Sequence, residues 1–319
     1  MNMFLPGAKV GSHGNSSLMR FSVAYCGDQN MEAPLHVAAA SLLLHADPEW
    51  TIDLHFILSD FDQQRRDRLL RTLELTRRSN YQAHFVPPPP DSTFAGMPSL
   101  HGNLVTYYRF LLPQLVDADR LLYVDCDTIC FTDVTPLARV PMPYPSGFVS
   151  YGNVSRQPES QFFHRLGLGP DTATFNAGVM LLDLAAWRAE GRADSMLDFC
   201  RRYRDDLICC DQTALIATCA GKFTELDERY NLTLYPTTSV PDPAAMPGIY
   251  HFVGSPKPWD LGGRKMHRGF ELYSRALELT DFGSHRTDYW RLSYWRRTYN
   301  IKGGYFRTLR RMLCVKEDD

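Results

Sequence analysis

Asp125 and Asp127 stand one residue apart at the end of the stretch Arg120-Leu-Leu-Tyr-Val-Asp-Cys-Asp127. Paired carboxylates offer hard oxygen ligands, the kind that hold a divalent cation against a phosphate. An Asp-x-Asp alone is weak evidence, because about one is expected by chance in a chain of this size. Its setting strengthens it. Leu121 to Val124 form a short unbroken apolar run entered from the polar turn Asp117-Ala-Asp-Arg120, which predicts a central strand covered on both faces. The carboxylates then fall where that strand leaves the sheet, and in open α/β sheets the carboxyl ends of the strands form the ligand crevice. The bland reading, two turn aspartates after a strand, is decided by what the rest of the chain places around them.

The elements that must position this pair alternate. Residues 21–26 read as a strand ending in Gly27-Asp28-Gln29-Asn30, and residues 34–45 as a helix with Leu35, Ala38, Ala39, Leu42 and Leu43 on one face and Pro34 in the first turn. Residues 54–58 are the next strand, a helix carries Leu69, Leu70 and Leu73, and residues 83–86 supply a third strand. Such alternation predicts an α/β fold with a mainly parallel sheet and right-handed crossovers. Pro87 to Pro90 breaks regular structure, and residues 91–103 read as a loop over the crevice. Residues 104–115 are expected to form one helix carrying Thr106, Tyr107 and Arg109, and residues 148–151 a strand.

Phe175-Asn176-Ala-Gly178-Val-Met-Leu-Leu-Asp183 is a second apolar strand with Asn and Gly at its start, and glycine there signals close approach of a ligand or another chain segment. Residues 194–203 read as a helix, Asp211-Gln212 opens another, and residues 236–247 form a Pro-rich loop. The last motif is His251-Phe-Val-Gly254-Ser-Pro-Lys257-Pro-Trp259.

Taken in order, Asp28/Asn30, Thr106-Tyr-Tyr-Arg109, Asp125-Cys-Asp127, Asn176-Ala-Gly-Val179, Asp211-Gln212 and His251-x-x-Gly254-x-x-Lys257-Pro-Trp259 resemble glycosyltransferase family 8, which includes the lipooligosaccharide galactosyltransferases and glycogenin. The resemblance covers roughly residues 21–260. It implies a Rossmann-like nucleotide-sugar-binding domain of the GT-A type and a retaining, metal-dependent hexosyl transfer from UDP-glucose or UDP-galactose to a glycan hydroxyl. By the same resemblance Asp125, Asp127 and His251 would hold Mn²⁺, with Mg²⁺ as the alternative. Lys257 and the backbone at Gly254 would hold the diphosphate, and Asp28 and Asn30 the uridine. Arg109, Cys126, Asn153 and Asn176 would complete the donor contacts, with Asp211 and Gln212 catalytic and Gln212 near the anomeric carbon. A diphosphate leaving group needs positive charge, and an imidazole beside two carboxylates suits Mn²⁺ better than Ca²⁺. Gln212 is a neutral amide and a poor nucleophile, which favours same-face attack over double displacement. Asn153 stands where the bacterial transferases tend to place an Asp, and Thr237-Thr238 replaces a more specific acceptor-side pattern, so glucose and galactose are left undivided.

Two other classes stay open: a non-catalytic binding protein on the same scaffold, and a haloacid-dehalogenase-like phosphatase with Asp125 as nucleophile. Composition frames the rest. Of the 319 residues 44% are hydrophobic and 22% charged, a globular balance, and no stretch approaches the ~20 apolar residues of a membrane span. Residues 1–20 are rich in Gly, Ser and Asn and read as a disordered leader, followed by a catalytic domain over 21–285. The net charge of −2 hides a basic tail: residues 286–319 hold nine Lys or Arg against four acids, leaving 25 basic and 32 acidic side chains before them. Interleaved Tyr and Trp favour an anionic membrane surface for this tail, ahead of a helix packed on the body, and nucleic acid is set aside. Eight cysteines without paired CxxC knuckles favour free thiols in a reducing cytoplasm, and the tail then places the protein on the inner face of the membrane.

Overall fold

A computed structural model describes residues 19–99, 103–284 and 292–314. Strand β1 (Met19–Asp28) leads through helix α1 (Glu32–His45) to β2 (Trp50–Ser59), then through α2 (Gln63–Leu75) to β3 (Tyr81–Val86). All three strands run parallel, and β4 (Arg120–Val124) pairs parallel to β1 on the other side. β1 begins at Met19, two residues before the predicted boundary, because Arg20 donates to Asp53 on β2 (2.9 and 2.5 Å) and to Gln82 on β3 (3.0 Å). The predicted leader otherwise lies outside the described residues.

Beyond β4 the sheet changes character. The short β5 (Thr128–Cys130) leaves it, β6 (Ser146–Phe148) returns to it, and β7 (Ser150–Asn153) pairs with β8 (Ala173–Phe175) in a separate ribbon. The single strand expected over 148–151 is thus two strands in two sheets, parted at Val149. β9 (Val179–Asp183) inserts antiparallel between β4 and β6, and β10 (Thr224–Glu225) closes the edge, giving the order β10-β6-β9-β4-β1-β2-β3. β11 (Leu232–Leu234) and β12 (Ile249–Phe252) join β5 in a three-stranded sheet.

Apolar side chains cover both faces of the main sheet, and a third cluster, including Val37, Ile129 and Tyr250, lies around the small sheet. This explains why α1 is buried from Pro34 to Leu43 rather than along one stripe. The small sheet packs on its outer side, where Ser41 Oγ accepts from the backbone N–H of Cys130 at 2.9 Å.

The helix expected over 104–115 is also different. Residues Val105–Leu111 form a 3₁₀-helix and only Leu112–Leu115 one α-turn. Valine, threonine and aromatics are weak helix formers, and the Thr106 carbonyl accepts from the Arg109 side chain at 3.0 Å. Helix α3 (Asp211–Cys219) begins at Asp211 as predicted.

The tail forms α4 (Leu292–Asn300) and α5 (Lys302–Cys314). One face packs on the body through Ile301, Gly304 and Thr308, whereas Leu292, Phe306 and Leu313 are between 66 and 84% exposed. No helix among the described residues is long and apolar enough to cross a membrane.

Candidate metal and donor site

Cross-strand register assembles the carboxylates and the imidazole. β4 and β9 pair Val124 with Val179, which sets Asp125 beside Gly178, and the Asp125 N–H donates to the Gly178 carbonyl at 2.7 Å. β5 and β12 pair Thr128 with His251, and the Phe252 N–H donates to the Asp127 carbonyl at 2.9 Å. His251 Nε2 consequently lies 3.2 Å from Asp127 Oδ1 and 3.7 Å from Asp125 Oδ2. One ligand atom from each residue falls within 4.8 Å of the others.

The far side of the imidazole is also held. His251 Nδ1 is 3.0 Å from Asn231 Oδ1, while Asn231 Nδ2 donates to Asn176 O (3.3 Å) and Oδ1 (3.0 Å). This network assigns the proton to Nδ1 and turns the Nε2 lone pair toward the carboxylates, the arrangement a metal-ligating histidine needs. Beneath it, a Cβ on Gly178 would come within 2.1 Å of His251 Cε1 and 2.9 Å of Asp125 Oδ2. Two hard oxygens and one borderline nitrogen, converging over a backbone without a side chain, fit a divalent first-row cation.

Two cations flank these carboxylates. Arg109 is buried; its Nη2 lies 2.9 Å from Asp125, its Nε 3.1 Å from Asp211, and its Nη1 donates to Ala177 O at 2.7 Å. Burial disfavours the guanidinium charge, but Asp125 and Asp211 together carry its pKa above the ordinary arginine value. Tyr123 adds a 2.5 Å hydrogen bond to Asp125, and Thr106 donates to Asp211. Burial raises the Asp211 pKa, with Arg109 opposing. At Asp127 burial acts upward too, yet Lys257 and then His251 outweigh it and hold the carboxyl well below the usual range. Lys257 Nζ is 2.8 Å from Asp127 Oδ2.

Arg109, Asp125 and Asp127 border a cavity of about 550 Å³ at the carboxyl ends of β1 and β4, lined also by Asp28, Asn30 and Cys126 among others, whereas His251, Lys257 and Asp211 lie outside its lining. Asp28 accepts from the Asn30 backbone (2.9 Å), the Asn30 amide (3.0 Å) and the Asn103 amide (2.5 Å). Residues 22–261 match glycosyl transferase family 8. The chain belongs to that family.

General stress protein A of Bacillus subtilis is 24% identical over 264 residues, covering 77% of this chain and 90% of its own length. Lipopolysaccharide 1,3-galactosyltransferase of Salmonella typhimurium is 24% identical over 269 residues, 78% of this chain and 76% of that protein. The crystal structure of galactosyltransferase LgtC in complex with donor and acceptor sugar analogues has the same fold, with a TM-score of 0.67 at 24% identity over 82% of this chain and 96% of that one.

Within this family 8 fold the predicted residues differ in where they fall. Asp28, Asn30, Arg109, Asp125, Cys126 and Asp127 share the cavity, although the Cys126 thiol itself turns back to donate to Cys26 O at 3.3 Å. Asn176 and Gln212 adjoin the Asp125–Asp127–His251 cluster: Gln212 Oε1 accepts from Asn176 Nδ2 (3.3 Å) and the Ala177 N–H (3.1 Å), so an amide chain runs from Gln212 through Asn176 and Asn231 to His251. Asp211 is 4% exposed and faces Arg109 and Thr106. Asn153 and Gly254 stand apart from the cavity lining. Asn153 accepts from Ser155 at 2.8 Å, and Gly254, at φ 73°, packs beside Tyr235. Asn231, Asn103 and Tyr123 were not legible as site residues. Each is a lone side chain outside any catalytic spacing, brought in only by folding.

Proposed function

We propose that this family 8 glycosyltransferase moves a hexose, glucose or galactose, from a UDP-sugar to a hydroxyl of a cell-surface glycan with retention of configuration. The observation that carries this is the orientation of His251: Asn231 aims its Nε2 at Asp125 and Asp127, which line a cavity whose other end is Asp28 and Asn30. Asp125, Asp127 and His251 would hold Mn²⁺, or Mg²⁺ in its place. Such a cation, when bound, neutralises the diphosphate and makes it a better leaving group.

The chain's own residues do the rest. Asp28 and Asn30 bind the uridine, with Asn103 fixing the Asp28 carboxylate. Lys257 reaches the phosphates from its place on Asp127. Arg109 pairs with both Asp125 and Asp211 and holds them immobile, so Asp211 acts by position. Gln212 would lie near the anomeric carbon, where its amide oxygen is the end of the dipole able to shield developing positive charge while its Nε2 group donates to the sugar. The leaving diphosphate takes the acceptor proton. Asn153 and Gly254 would contribute through loop shape.

The galactosyltransferase activities named for the Salmonella relative and LgtC support a hexose donor, and the former a lipopolysaccharide-like acceptor. The exposed apolar side chains of α4 and α5, interleaved with Arg307, Arg310 and Arg311, support docking on the anionic inner face of a membrane. Family membership leaves no place for the phosphatase reading. The purified protein is tested against a panel of UDP- and GDP-sugars with Mn²⁺, with EDTA and as Asp127→Ala. Slow Mn²⁺-dependent release of UDP from one sugar nucleotide, lost in the variant, is expected. Binding of donors with no turnover, even with glycan acceptors present, would instead mark a binding protein.

A further inference from the structure

The carboxy-terminal helices lie outside the residues matched to family 8, yet they enter the site. Arg296, Arg297 and Asn300 of α4, and Ile301 between α4 and α5, line the same cavity as Asp28, Asp125 and Asp127. Their seat is the loop after β12 that carries Lys257. The Thr308 hydroxyl donates to Ser255 O at 3.0 Å, and the Tyr305 hydroxyl to Leu261 O at 2.6 Å. A Cβ on Gly304 would stand 2.6 Å from Ser255 Cβ, so only glycine lets α5 approach this closely. Arg297 grips Asp260 at 2.6 and 3.4 Å, and Asp260 in turn accepts from the Lys257 backbone N–H at 2.7 Å. The Arg297 side chain is half-buried, and Asp260, with Asp127 further off, favours its charge against that burial.

The balance of charge in the cavity is incomplete. Arg109 is committed to Asp125 and Asp211, Lys257 to Asp127, and Arg297 to Asp260. Among the described residues lining the cavity, Arg296 is the cation with no ion pair or hydrogen bond. A nucleoside diphosphate carries more negative charge than one divalent cation cancels, and a planar guanidinium matches phosphate oxygens two at a time.

We infer that α4 and α5 form a wall of the donor site and that Arg296 binds the phosphate-bearing part of the donor, an inference that rests on the nucleotide-sugar reading above. The tail then does more than carry an outward apolar face. Its inward face completes the site and ties the Lys257 loop in place through Arg297 and Asp260.

Calorimetric titration of the full chain with UDP in the presence of Mn²⁺ tests this, comparing wild type, Arg296→Ala, Arg296→Lys and Arg310→Ala. Arg296 is exposed, so its replacement leaves the fold intact, and Arg310 is a basic residue of the same tail away from the cavity. Loss of a charge-assisted contact predicts about tenfold weaker UDP binding for Arg296→Ala, with Lys recovering part of it and Arg310→Ala within twofold of wild type. Unchanged affinity in Arg296→Ala overturns the inference. Equal weakening in Arg310→Ala overturns it too, because the effect would then be the diffuse field of the tail. Failure of the wild type itself to bind UDP would instead overturn the nucleotide-sugar reading.

Discussion

On the parallel side of the sheet, Asp28 and Asn30 leave β1 two residues apart and bond directly to each other, so a single turn makes the far end of the cavity. Across β4, the ligand set comes from two antiparallel pairings, β4 with β9 and β5 with β12, that bring Asp125, Asp127, Gly178 and His251 together from distant parts of the chain. The first arrangement is local and tolerates small shifts. The second depends on register, and a slip of one residue would turn a ligand to the opposite face.

Glycine substitutions on the two sides give the sharpest contrast. At Gly178 an added methyl would stand 2.1 Å from His251, so Gly178→Ala is expected to lower metal-dependent turnover about a hundredfold through misplaced ligands. At Gly27 the nearest atom is Cys126 Sγ at 3.1 Å, a neighbour that can give way, and Gly27→Ala should lose less than about tenfold. Equal losses in steady-state assays of the two folded variants would remove the distinction.

Removing one supporting amide on each side separates the functions. Asn231→Ala frees the His251 ring and should weaken Mn²⁺ binding about 10- to 100-fold, as loss of a residue orienting a metal ligand does. Asn103→Ala frees Asp28 and should weaken UDP binding about three- to tenfold while Mn²⁺ affinity holds. Calorimetry with each ligand reads both.

A separate effect concerns stability. His36, packed between α1 and α2 with its Nδ1 2.7 Å from the Thr72 hydroxyl, is pushed down to about 3 by burial, with Arg68 adding to it. The unfolded chain protonates this imidazole below about pH 6.5, so between there and pH 3 unfolding takes up a proton. Stability should fall as pH falls through that window, by up to about 1.4 kcal/mol per pH unit from this group. Urea unfolding of wild type and His36→Leu at pH 7 and pH 5 checks it: the variant's midpoint should change less with pH.

The same contrast governs what the sequence alone could reveal. Asp125 and Asp127 were readable because both sit at the end of one apolar strand, and Gly178 because glycine beside a strand announces close approach. His251 acquired its role from its motif, as no local pattern links it to a carboxylate more than a hundred positions earlier. Asn231 and Asn103 carried no signal, since a lone amide in a turn is common. That the helix expected over 104–115 winds as 3₁₀ from Val105 to Leu111 was not readable, because apolar spacing suits either helix and the Arg109 side chain that claims the Thr106 carbonyl is visible only in the folded state. In the tail, the basic and aromatic residues stood out, but which of them face inward could not be told from their alternation.

The central claim is that Asp125, Asp127 and His251 form a divalent cation site. Titration of Mn²⁺ into the full chain, with and without UDP, followed by the loss of the free-ion electron paramagnetic resonance signal, addresses it directly. The structure predicts uptake of one Mn²⁺ per chain, abolished in both Asp127→Ala and His251→Ala. No uptake in either condition, or uptake that His251→Ala leaves unchanged, would contradict it.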